Sequence, residues 1–69
     1  MIIVTIDDLR EAKLRYGGYC TRGVDAWFTR HNLSLRQFLR HGYPIDVIEA
    51  TNDDLGTRVA QIARERAAS

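Results

Sequence analysis

The segment Leu33-Ser34-Leu35-Arg36-Gln37-Phe38 carries two interlocking helix-start devices, and these constrain the fold more than anything else in the chain. Ser34 and Gln37 have the spacing of a capping box, while Leu33 and Phe38 have the spacing of a hydrophobic staple across it. A helix is therefore expected over 35–41, with Leu35, Phe38 and Leu39 turned to one side and a stop at Gly42.

The same grammar repeats on both sides. Thr5 with Asp8 three residues on, flanked by Val4 and Leu9, starts a helix over 6–15 that ends at Gly17-Gly18. Thr21 reads as the cap of a second helix, in which Val24, Trp27, Phe28 and His31 recur at helical spacing before Asn32 stops it. Pro44 suits the first turn of a short fourth helix bearing Ile45, Val47 and Ile48. Thr51 or Asn52 starts the last helix, whose apolar stripe is Leu55, Val59, Ile62 and Ala63. Gly56 weakens that helix relative to alanine. Ile2 to Val4 is also compatible with a short strand, for instance one pairing across a dimer. Connections this short predict one all-α domain over 1–69, a compact cluster of four to five short helices containing a helix-turn-helix-like hairpin.

A chain of 69 residues buries a modest core and gains from a partner subunit, so a homodimer is an expected assembly. Cys20 is the only cysteine, which excludes an intrachain disulfide and suits a reducing compartment. No signal peptide or membrane span is read, so the expected location is intracellular, in the cytoplasm of the protein's own cell or of a host.

The net charge of +1 is unevenly spread. Between Tyr16 and Tyr43, Arg22, Arg30, Arg36 and Arg40 face Asp25 alone, which leaves +3 there. From Pro44 onward five acids face three arginines, which leaves −2. The overall charge does not mark a nucleic-acid binder, but a local basic stripe of this kind is compatible with one.

Catalysis finds no support in the residues. Cys20 with His31 or His41 is the one nucleophile pair on offer, and nothing supplies an orienting third group. Zinc needs four ligands at tight local spacing, which the dispersed Cys20, His31 and His41 do not give. Gly17-Gly18 follows a helix and not a strand, so it is no phosphate loop. The reading is a non-enzyme with no cofactor and no metal.

Two binding classes remain. In a helix-turn-helix frame, Arg36, Gln37 and Arg40 face outward to read bases, while Arg22 and Arg30 reach phosphates. Against it, Phe28 is bulky where the first helix of such a pair is usually small, and the capping box offers Gln37 an inward alternative to base reading. In the protein-binding frame, Tyr16, Tyr19 and Tyr43 lie beside glycines at element ends. With Arg22, Arg30 and Arg40 they combine the residue types enriched at interface hot spots.

The segments Tyr19-Cys20-Thr21-Arg22-Gly23-Val24, Ala26-Trp27-Phe28, Arg30-His31, Leu33, Phe38-Leu39 and Gly42 resemble small accessory proteins of tailed phages and prophages of Gram-negative bacteria. Ala50-Thr51-Asn52-Asp53 extends the likeness, with Asn52 standing where relatives tend to have glycine. Lys13 to Gly17 departs from it as an added turn. The resemblance implies a phage accessory protein, acting in virion assembly or on a host protein, and carries over no catalytic or ligand residue. The leading expectation is thus a phage-type protein-binding module whose partner is a phage structural or host protein. A helix-turn-helix DNA-binding regulator is the alternative.

Overall fold

The computed structural model of the chain describes residues 1–17 and 21–68. They form β1 (Ile3–Val4), α1 (Ile6–Tyr16), α2 (Thr21–Arg30), α3 (Leu35–His41), β2 (Tyr43–Pro44), α4 (Ile45–Glu49) and α5 (Asp54–Ala68). The fold is the expected compact, mostly helical cluster, with one addition. The Ile2–Val4 segment does pair as a strand, but within the chain: β1 lies antiparallel to β2, with Ile3 opposite Pro44 and Val4 opposite Tyr43.

Helix α1 begins where the caps placed it. The Thr5 amide donates to Asp8 Oδ2 at 3.0 Å, the reciprocal arm of a capping box. Asp7 and Asp8 in the first turn and Lys13 and Arg15 in the last match the helix dipole. The helix runs one residue further than expected and stops at Gly17, which has φ +69°. Helix α2 takes in Thr21 itself, so the cap expected there is drawn into the helix. Its end is as read: Asn32 is left-handed at φ +58°, and the Leu33 amide donates to the Phe28 carbonyl at 2.8 Å.

At α3 the Ser34 hydroxyl accepts the Gln37 amide at 3.1 Å, as the sequence requires. The second arm of that box is different. The Ser34 amide donates to the Tyr43 hydroxyl at 2.8 Å, and that hydroxyl lies 3.3 Å from the Ser34 carbonyl, to which it donates. Tyr43 is therefore a core residue and not an interface residue. Its ring is buried and stacks on Phe28 and Phe38, at centroid distances of 6.4 and 6.3 Å. Gly42 closes α3 with φ +71°, and a Cβ there would press on the Val4 carbonyl and stand 2.8 Å from Ile3 Cγ2. The β1–β2 ladder can form only because the chain turns through a residue without a side chain.

Helix α5 starts later than expected, because Asp53 and not Thr51 or Asn52 caps it. Asp53 Oδ1 accepts the Leu55 amide at 2.9 Å, while Thr51 Oγ1 donates to the Ile48 carbonyl and Asn52 turns left-handed at φ +51°. Pro44 likewise takes the cap position of α4 and not its first turn. Gly56 is buried inside α5. An added Cβ would stand 2.9 Å from the Ile48 carbonyl and 3.3 Å from Trp27 Cζ2, so the helix gives up propensity for close approach. Helix α5 packs on both α1 and α4. Leu9, Trp27, Phe28, Phe38, Ile48 and Val59 are among the side chains buried in the resulting core.

Candidate functional site: the outer face of helix α3

Most arginines of this chain are held by a carboxylate, and following those pairs isolates the ones that are not. Arg15 bridges Glu11 and Glu65, each at 3.0 Å, and so ties α1 to α5. Arg64 holds Glu49 of α4 at 2.7 Å. Arg66 grips Asp8 from two nitrogens, at 2.8 and 3.1 Å, and adds a bond to the Ile3 carbonyl at 3.0 Å. Each of these three guanidinium pKa values is raised, chiefly by the hydrogen bond to Glu65, to Glu49 and to Asp8 respectively. Asp8 is the buried member of the set, 1% exposed, and its carboxylate also accepts the Thr5 amide. Burying such a charge requires full pairing, which this geometry supplies. Arg10 lies near Asp7, and the Arg58 guanidinium sits 4.7 Å above the Tyr16 ring.

Helix α3 presents the opposite situation. Arg36, Gln37, Arg40 and His41 are exposed and, with Ser34, line one shallow groove. Among the described residues none of these four side chains meets an ion-pair or hydrogen-bond partner. The spacing explains their convergence, since residues four apart share a helix face, and 36/40 and 37/41 are adjacent rows. The box geometry matters here as well. Because Tyr43 occupies the Ser34 amide, the Gln37 side chain is free to point outward, one of the two orientations the sequence left open.

Of the six residues expected to form a protein interface, the five described stand in different surroundings. Tyr43 is in the core, Arg30 is bound to Asp53 at 3.2 Å, and Tyr16 is half-exposed beneath Arg58. Arg22 is exposed near the start of α2, and Tyr19 lies outside the described residues. Arg40 is shared with the second expected set, and Arg36, Gln37 and Arg40 do come together on α3. Arg30, considered for a phosphate contact, stays largely exposed while paired with Asp53. Two members of the α3 surface were not anticipated. His41 continues the row begun by Gln37, and that spacing was available in the sequence. Leu39 was expected in the core with Leu35 and Phe38, yet it is 53% exposed. A seven-residue helix is about 10 Å long and covers only its Phe38 stripe fully.

The α1–α5 groove lined by Asp7, Asp8, Glu11, Arg15, Glu65 and Arg66 is charged, but its charges answer one another. Beside α2, His31 Nε2 is 4.0 Å from Asp53 Oδ2, while Asp53 already caps α5 and holds Arg30. The described residues contain no group of three or more His, Cys, Asp or Glu placed to hold a metal ion. No helix among them is long and apolar enough to cross a membrane. No protein-family model, curated protein or solved structure matches the chain.

Proposed function

We propose that this protein is a non-enzymatic helical module that binds another protein through the outer face of α3. The observation that carries the reading is the unpaired Arg36–Arg40 pair on one exposed helix face, in a chain whose other carboxylates and arginines are largely matched to each other. Arginine beside an exposed apolar residue is the composition of an interface hot spot, and Leu39 supplies the apolar part. The resemblance to phage accessory proteins adds the class of partner, a virion structural protein or a host protein.

Duplex DNA is the weaker reading on a quantitative ground. Arg36 and Arg40 offer about two phosphate contacts, few against the roughly six to ten of a protein whose DNA binding falls steeply with salt. Phe28 also stands between the two helices of the hairpin, with its ring 4.9 Å from that of Phe38.

The test is capture from nuclease-treated Gram-negative host lysate and from phage structural proteins. Immobilised wild-type protein should retain a partner that the Arg36→Gln/Arg40→Gln variant releases. Identical retention by both proteins, or none by either, sinks the reading. Retention of duplex DNA that falls steeply with salt transfers the site to the helix-turn-helix alternative.

A further inference from the structure

Internal pairing in this molecule follows a pattern that says what the α3 face lacks. Asp8, Glu11, Glu49, Asp53 and Glu65 each lie against an arginine of another element or the next turn. Arg36 and Arg40, one helical turn apart, meet no carboxylate among the described residues. Like charges at this spacing repel one another, so the isolated face carries a small electrostatic cost that opposite charge relieves. Between and beside the two guanidinium groups stand Gln37, which donates and accepts, and His41 at the helix end. Leu39 gives the face an exposed apolar flank.

From this arrangement we infer that the partner surface received by α3 is an acidic helix presenting carboxylates one turn apart. The inference deepens the protein-binding reading and rests on it. Charge complementarity selects the carboxylates, and a helix supplies them at the matching spacing. Positions four residues apart on a helix rise about 6 Å, so two glutamates at that interval meet Arg36 and Arg40 in register. Each arginine can offer a two-pronged bond to one carboxylate. The same internal example exists in the chain itself, where Arg64 on one helix meets Glu49 on another through two nitrogens, at 3.3 and 2.7 Å.

The experiment is amide and arginine side-chain NMR of the full chain, titrated to millimolar with a helical peptide bearing glutamates one turn apart. The expected result is saturable shifts confined to 34–41, weakened by salt and at least about tenfold weaker for a peptide with glutamine in place of glutamate. The Arg36→Gln/Arg40→Gln variant, its fold checked by the same spectra, should not respond. No shifts, equal shifts with the glutamine peptide, or shifts spread over α1 and α5 would overturn the inference. Larger shifts from duplex DNA at matched salt would overturn it in favour of a nucleic acid. If lysate capture still depends on Arg36 and Arg40 while the acidic peptide is silent, the α3 face stands as a protein site and only the acidic helix is lost.

Discussion

The arginines of α5 and those of α3 have the same chemistry and opposite surroundings. Arg64 and Arg66 reach across to other elements and end on carboxylates, Glu49 in one case and buried Asp8 in the other. Arg36 and Arg40 reach no described partner, although the chain has acids enough to have provided one. The difference teaches that a count of basic residues along a segment overstates its working charge. The excess of +3 between Tyr16 and Tyr43 shrinks once Arg30 is assigned to Asp53, an acid from the negative last third. What survives is narrower and better placed. Arginines that hold the fold should cost stability when the pairs they make are removed, and arginines that face out should cost binding alone.

The strongest way to break that division is at Asp8. Replacing it with alanine removes the Thr5 cap and both Arg66 bonds from a buried position, and leaves the space unfilled. The expected loss is about 3 kcal/mol, the scale of breaking a buried charge-assisted network. In a domain of this size that lowers Tm by roughly 15 °C. Thermal unfolding followed by circular dichroism measures it, and partner capture by the folded fraction should be unchanged. A drop below about 5 °C would mean that the α5 arginines are no more structural than those of α3.

Much of this division was legible in the sequence, and the illegible part has a physical cause. Caps are local, so Thr5–Asp8, Ser34–Gln37 and Asn32 placed their helices to within a residue or so. The apolar stripe of α2 likewise named Val24, Trp27 and Phe28, all of which are buried. What failed was long-range. Nothing near Tyr43 announces that its hydroxyl will seek the Ser34 amide, because that bond depends on β2 folding back beside α3. Nothing near Arg30 announces Asp53, which arrives from the start of α5. Leu39 misled for a related reason: periodicity gives a face but not how much of a short helix its neighbours will cover. At the candidate site the sequence named Arg36, Gln37 and Arg40 together and left undecided whether Gln37 would turn inward. A residue six positions beyond the capping box decided that.

Tyr43 sharpens the comparison because it lies between the two regions, serving α3 from within the core. Tyr43→Phe keeps the ring stacked on Phe28 and Phe38 and removes only the hydroxyl that holds Ser34. The expected cost is about 1 kcal/mol, seen as a Tm lower by roughly 5 °C. Chemical shifts should change at 34–37 before they change elsewhere. Should binding fall sharply while Tm stays fixed, Tyr43 would belong to the surface after all, and the assignment of its hydroxyl to the Ser34 cap would be wrong.

The smallest effect on stability is expected from the pair that matters most for binding. Arg36→Gln with Arg40→Gln keeps two good helix formers and removes an i,i+4 repulsion, while giving up the favourable interaction of Arg40 with the end of α3. These terms oppose each other, and exposed substitutions of this kind shift stability by less than about 0.5 kcal/mol. Tm should therefore stay within about 3 °C of wild type while capture of the partner is lost. The two readouts together decide what either alone leaves open. A variant that unfolds early would show that α3 draws on its arginines for structure, as α5 does. A variant that keeps both its Tm and its partner would place the working surface elsewhere, with the half-exposed Tyr16 and the exposed Leu14 at the end of α1 next to be tried.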